Sequence, residues 1–227
     1  MTENQEYVIL VAGGKGLRMQ SETPKQYMLL AGKPVLMRSL EAFYAYSPAI
    51  EIIVVLPQEH IEYWQKLCKT HNCTIPHTTV AGGAERFYSV QAGLACVETN
   101  GFAAIHDGVR PLVSPACIAR GFACARRCSS AVPVIDSIDS LRMVNGEHSK
   151  TIDRTLIKRV QTPQIFSVEK LKQAYRQPYS PLFTDDASVW ESAGFAIALF
   201  DGEEQNIKLT TPADFSWGEL LVGSVKS

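Results

Sequence analysis

Tyr7-Val-Ile-Leu-Val-Ala-Gly-Gly-Lys-Gly-Leu-Arg-Met19, followed by Pro24-Lys25-Gln26, runs a short apolar segment straight into a loop of glycines and bases. Tyr7–Ala12 is too short for a helix and is bounded by glycines, which suits a strand buried on both faces of a parallel sheet. Working outward, Pro34 with Leu36, Leu40 and Phe43 has helical spacing and a proline at its start. Glu51–Leu56 reads as a second strand stopped by Pro57, and Gln58–Thr70 as a helix. Thr74–Val80 is a weaker edge strand, Arg86–Val97 a helix, and Phe102–His106 a strand ending on Asp107. Pro115–Arg127 reads as a helix and Ser130–Val134 as a strand. This alternation predicts an α/β fold, a mostly parallel sheet with helices on both faces. Ligands of such sheets bind beyond the carboxyl ends of the strands, where the loops after Ala12 and His106 fall.

From about 135 to 159 the pattern changes to alternating apolar and polar residues around Asn145-Gly146, a hairpin turn pair. This predicts a β-arm leaving the sheet. Helices at Val168–Tyr175 and Asp185–Ala193, a strand at Phe195–Phe200 and a helix after Pro212 complete the reading. Without a repeat or low-complexity linker, residues 1–227 are expected to form a single domain with that arm.

Bulk composition narrows the function classes. The 227 residues are 46% hydrophobic, enough for a packed core. Twenty-two basic and 23 acidic residues leave a net charge of −1, without the footprint of a non-specific nucleic-acid binder. Glu3 and Glu6 stand where a signal peptide would carry bases, and no apolar run nears the roughly 18 residues of a membrane helix. The six cysteines contain no CxxC pair and are expected to be reduced core residues of a cytoplasmic protein; a zinc site would need a partner cluster.

Four constellations carry chemistry. In the first loop, Ala12, Gly13, Gly14 and Gly16 let backbone amides approach phosphate oxygens, while Lys15, Arg18 and Lys25 add positive charge. The spacing matches neither a Walker A motif nor GxGxxG. In His106-Asp107-Gly-Val-Arg110-Pro111, Asp107 either holds a hard cation that bridges phosphates or caps a turn. Arg110 either binds an anion or pairs with a carboxylate. Gly82-Gly83-Ala-Glu85-Arg86 with Ser89 opens a helix, where an anion or a base edge is favoured. The fourth group is Asp153-Arg154 in the arm, Gln161-Thr162-Pro163-Gln164, Thr184-Asp185-Asp186-Ala187-Ser188 and Asn206-Ile207-Lys208. There Thr184 or Asp185 can simply cap a helix, and helix-start electrostatics outweigh a second metal site.

Taken in order, AGGKGLRM, PKQ, GGAER, HDGVRP, DR, QTPQ, TDDAS and NIKLTTP resemble the cytidylyltransferases that act on 2-C-methyl-D-erythritol 4-phosphate, over nearly the whole chain. The resemblance implies a Rossmann-like nucleotidyltransferase fold, CTP and a polyol phosphate as substrates, Mg2+, and a homodimer whose arm reaches the neighbouring site. By motif position it implies that Arg18 and Lys25 act at the α-phosphate and that Asp107 is the metal ligand. Arg154 and Lys208 would grip the acceptor phosphate, with Arg154 open to being the partner's. Gly82, Arg86 and Ser89 would face the nucleoside, Gly82 as the base contact, with Thr162 and Thr184 on the substrate side. Two departures stand out. The first loop is one residue longer than in many members, leaving Lys15 without a counterpart. The segment 134–142 holds two extra residues, leaving Ser137 and Ser140 as alternatives for a hydroxyl contact. The rival readings are a ribitol-5-phosphate cytidylyltransferase, which shares several of these motifs, and a non-catalytic nucleotide-binding protein on the same scaffold.

Overall fold

The computed structural model describes residues 5–14, 23–98 and 100–224. β1 (Glu6–Val11) is central, paired in parallel with β4 (Glu51–Leu56) on one side and β6 (Phe102–Asp107) on the other, and β5 (Thr78–Ala81) extends the sheet beyond β4. Alternate residues of β1 serve opposite faces. Val8 and Leu10 join a core with Leu36, Leu40 and Phe43 of α1 (Val35–Tyr46), Trp64 of α2 (Ile61–Thr70) and Phe122 of α4 (Pro115–Cys128). Tyr7 and Ile9 join a second core with Phe87 and Val90 of α3 (Arg86–Ala95), Leu171 of α5 (Val168–Ala174) and Trp190 of α6 (Asp186–Ser192). Burial on both faces is why β1 reads as an unbroken apolar run. Between β1 and α1, Leu29–Leu30 (β2) and Lys33–Pro34 (β3) make a small hairpin.

The far half of the sheet differs from the reading above. β11 (Gln164–Ser167), not foreseen as a strand, runs antiparallel between β6 and β7 (Ser130–Asp136). β10 (Lys158–Val160) continues along the same edge of β7, ahead of the cis Thr162–Pro163 peptide. The strand expected at Phe195–Phe200 shrinks to β12 (Leu199–Asp201) on the other edge of β7. Its upstream half is held by side chains instead of a ladder: Ser130 Oγ and Trp190 Nε1 both donate to the Ala196 carbonyl, at 3.1 and 2.9 Å. The helix read from Gln58 begins with a 3-10 turn at Gln58–His60.

The arm is present as the antiparallel pair β8 (Leu141–Asn145) and β9 (His148–Ile152). Asn145 pairs with His148, so the two turn residues are Gly146 and Glu147, with Gly146 at φ 58°. Glycine at the first turn position is the II′ pattern, one residue along from the Asn-Gly turn expected. α7 (Pro212–Ser224) opens on Thr211, whose hydroxyl accepts from the Asp214 amide while the Asp214 carboxylate accepts from Thr210 and Thr211. The Thr-Thr-Pro segment is thus a helix start.

Candidate active site

The carboxyl ends of β1, β4, β5 and β6 meet at one edge of the sheet, and a cleft of 320 Å³ opens there. Its floor is the first loop. The Ala12 amide donates to Val55 O, and the buried Gln26 side chain donates to Ala12 O at 2.9 Å, folding Pro24-Lys25-Gln26 back over the strand end. This puts Lys25, first residue of a 3-10 turn, on the wall beside Ala12, Gly13 and Gly14. Lys15, Gly16 and Arg18 lie outside the described residues.

The opposite wall is the start of α3. Gly83, Glu85, Arg86 and Ser89 line the cleft, but Gly82, the expected base contact, is not among its lining residues. Gly82 sits behind them, where a Cβ would stand 2.7 Å from Ser89 Oγ. Both glycines are packed against α3, since a Cβ on Gly83 would overlap Tyr88 Cβ, and of the two only Gly83 also lines the cavity.

Asp107, at the tip of β6, is the electrostatic centre. Lys208 Nζ lies 3.0 Å from its carboxylate, Arg110 Nε 3.4 Å and Arg86 Nε 3.7 Å. Burial alone would raise this carboxyl, but Lys208, Arg86 and Arg110 outweigh it and hold the group well below the usual carboxylate range. Asp107 is therefore an ionised oxygen donor. One such carboxylate plus phosphate oxygens is what a magnesium ion typically takes, so the donor set fits.

Two of the three cations are committed elsewhere. Arg86 forks onto Asp186, and Arg110 donates to the Asn206 carbonyl at 2.8 Å. Arg110 makes the carboxylate pair and also lines a second cavity. Lys208 differs: 42% of its side chain is exposed, so it can turn from Asp107 to an incoming anion.

A second cavity of 240 Å³ adjoins the first and shares Arg86, Asp107 and Lys208 with it. Arg110, Thr162, Thr184 and Asp185 line its other side. Here the Gln-Thr-Pro-Gln segment works as a clamp. Gln161 donates to the Glu203 carbonyl, and Gln164 donates to Asp185 while accepting from the Ala187 amide. Thr162 Oγ1 accepts from the Asp107 amide at 3.1 Å and meets His106 Nδ1 at 3.0 Å. His106 Nε2 faces the Arg110 carbonyl at 3.0 Å, which fixes the proton on Nε2 and makes Thr162 the donor to Nδ1. Thr162 thus holds Asp107 in place. Asp185, not Thr184, caps α6 through a reciprocal bond pair with Ser188.

Arg154 is not brought to this cleft by its own chain. It lines a separate pocket of 390 Å³ at the base of the arm with Ser137 and Lys158, and its guanidinium donates to the Ile138 carbonyl. Of Ser137 and Ser140, Ser137 lines that pocket. What the motif reading missed is Tyr175, and the partner roles of residues it had quoted: Asp186, Asn206 and the two glutamines of the clamp. The spacing of Gln161 and Gln164 around a proline was the available clue for the clamp; Asp186 had none, being 100 residues from Arg86.

Known proteins resemble this chain over nearly its whole length. The family model described as IspD, 2-C-methyl-D-erythritol 4-phosphate cytidylyltransferase, matches residues 7–224. The enzyme of that name from Bacteroides thetaiotaomicron is 47% identical over 218 residues, 96% of this chain and 100% of the relative. That from Porphyromonas gingivalis W83 is 46% identical over 98% of this chain and 100% of its own length. Among solved structures, the 2-C-methyl-D-erythritol 4-phosphate cytidylyltransferase of Thermus thermophilus superposes with a TM-score of 0.78 at 28% identity, covering 97% of this chain and 99% of that one. The synthase from Anaerococcus prevotii, at 23% identity and a TM-score of 0.83 over 97% of this chain and 96% of its own, shares the fold. The sheet, the cleft at its carboxyl edge and these matches lead to one conclusion: the chain belongs to the 2-C-methyl-D-erythritol 4-phosphate cytidylyltransferase family.

Proposed function

We infer that this enzyme transfers the cytidylyl group of CTP to 2-C-methyl-D-erythritol 4-phosphate, releasing pyrophosphate. One observation carries the reading: two adjoining cavities share a wall of Arg86, Asp107 and Lys208, so a nucleotide and an anionic acceptor can meet across it. The glycine loop, Lys25 and the start of α3 receive CTP. The pocket of Arg110, Thr162 and Thr184 receives the acceptor, whose phosphate Lys208 engages.

The acceptor phosphate oxygen is already ionised near neutral pH, so no protein nucleophile is needed. That oxygen bonds to the α-phosphorus as the bond from phosphorus to the pyrophosphate oxygen breaks. Lys25 and Arg18 donate to the α-phosphate oxygens as charge builds there. Held by Asp107 and triphosphate oxygens, Mg2+ would neutralise phosphate charge.

A homodimer through the arm is supported by the exposed apolar residues Met143 and Val144 of the hairpin and Ile138, Leu156 and Ile157 at its base. It would let Arg154 complete the neighbour's acceptor pocket. A cytoplasmic location is supported by six unpaired cysteines; no helix among the described residues is long and apolar enough to cross a membrane.

The test is pyrophosphate release with CTP and each acceptor in turn. Turnover with the erythritol phosphate far above that with ribitol 5-phosphate is expected. The reverse ranking would favour the ribitol reading, and CTP binding without release from either would favour a non-catalytic binder.

A further inference from the structure

Far from the cleft, the C-terminus of α2 ends in a left-handed turn. The Cys73 amide donates to Cys68 O at 2.8 Å, the Asn72 amide to Lys69 O at 3.2 Å, and Asn72 carries φ 51°. These are the two bonds and the left-handed residue of a Schellman motif, with Cys68 and Cys73 at its two ends. That motif characteristically brings those two side chains together, ordinarily as an apolar contact. Here both are thiols, and they lie side by side.

The surroundings favour thiol chemistry. Both cysteines are half-buried and line an open surface groove with Lys69, Asn72 and His77, so small oxidants can reach them. The Cys68 thiol beside it, with help from the Ile75 backbone and against burial, lowers the Cys73 thiol to about 6, whereas Cys68 is pushed up. His77 is fixed in the groove by its neighbours: Nε2 accepts from Trp64 Nε1 at 3.0 Å and Nδ1 faces the Ile75 carbonyl at 2.8 Å. The other four cysteines differ, Cys117 and Cys124 being buried and Cys96 and Cys128 exposed.

We propose that Cys68 and Cys73 form a reversible dithiol–disulfide site whose oxidant is a hydroperoxide, with Cys73 the attacking sulfur and Cys68 the resolving one. The Cys73 thiolate attacks a peroxide oxygen; the O–O bond breaks and, for hydrogen peroxide, the released hydroxide takes up a proton as water. Cys73 is then a sulfenic acid. The Cys68 sulfur attacks it, the S–S bond forms, the S–O bond breaks, and the hydroxyl leaves as water with the Cys68 proton. Two thiols lose two electrons in all, and the peroxide is reduced to two waters.

The full chain, treated with hydrogen peroxide, alkylated and digested with trypsin, tests this. Cleavage after Lys66, Lys69 and Arg86 separates the two cysteines, so the expected product is peptide 67–69 joined to peptide 70–86, lost again on adding dithiothreitol. The folded protein should form the link roughly tenfold or more faster than the same chain in concentrated urea, because only the fold holds the two sulfurs together. Cys68→Ser should trap a dimedone-reactive sulfenic acid on Cys73, and Cys73→Ser should leave Cys68 reduced. Separately alkylated cysteines after peroxide, or equal rates folded and unfolded, would overturn the site; a sulfenic acid on Cys68 in the Cys73→Ser protein would overturn the roles.

Discussion

The Arg86 guanidinium forks onto the Asp186 carboxylate across 100 residues of chain, through hydrogen bonds of 2.9 and 2.6 Å. The same carboxylate, fully buried, accepts from the Tyr175 hydroxyl at 2.6 Å. The pair ties the first residue of α3 to the first residue of α6, and it fixes Arg86 in the cleft before any ligand arrives. Burial works against the charge on Arg86, but Asp186 and Asp107 together outweigh it.

Removing the buried carboxylate strands that guanidinium. Breaking a buried pair on one side typically costs about 3–5 kcal/mol, and since 29% of the Arg86 side chain is exposed, the lower end is expected. Asp186→Ala should therefore lose ~3 kcal/mol in urea unfolding and raise the KM for CTP as Arg86 loosens. A loss indistinguishable from zero would mean that water supports Arg86 equally well.

Lys25 and Lys208 face the same cleft but should fail differently. Lys25→Ala removes a donor that acts as charge develops, so turnover should fall about 10²–10³-fold with CTP binding nearly kept. Arg18→Ala is expected to behave alike. Lys208→Ala should mainly raise the KM for the sugar phosphate. Steady-state kinetics with each substrate varied separates the cases, and near-normal turnover in Lys25→Ala would remove it from the chemistry.

The half of the fold around β1, β4 and β6 was legible because burial on both faces writes itself as continuous apolar runs. β11 was not: it has four residues, begins on Gln164, and borrows its partners from β6 and β7 on either side. A strand that short leaves no period to read. In the site, Asp107 was legible because it ends a buried strand at the carboxyl edge. Arg86 was legible as a cleft residue but not as half of a fork, because Asp186 carries an equally good helix-start explanation. Thr162 was legible as a residue of the second cavity but not as the partner of His106, because a hydroxyl looks alike in sequence whether it meets a ligand or a ring nitrogen.

Arg154 offers a test of the dimer that needs no dimer structure. If each arm serves the neighbouring cleft, Arg154→Ala and Lys25→Ala chains are each inactive alone but complement when mixed. In a mixed dimer, the cleft of the Arg154→Ala chain keeps Lys25 and receives an intact Arg154. Random reassociation of equal amounts should then restore about one quarter of wild-type activity, from one competent site in half of the dimers. No recovery after verified subunit exchange would assign Arg154 to its own chain or to no site.

His106 should make stability fall in mild acid. It is fully buried between the Thr162 hydroxyl and the Arg110 carbonyl, and burial lowers the ring to about 4. The unfolded ring has a pKa of about 6.5, so as pH falls the unfolded chain takes up the proton first. The contribution is therefore fully present above about pH 6.5 and is lost progressively down to about 4, by ~3 kcal/mol in all. Asp107 acts in a lower window. Its folded pKa is depressed too, so its stabilisation is present above the unfolded value of about 3.9 and is lost only as pH falls further. Urea unfolding across this range should show the His106 slope in the wild type and not in His106→Gln, where the carboxamide can still donate to the Arg110 carbonyl. The same slope in both proteins would place the acid sensitivity elsewhere.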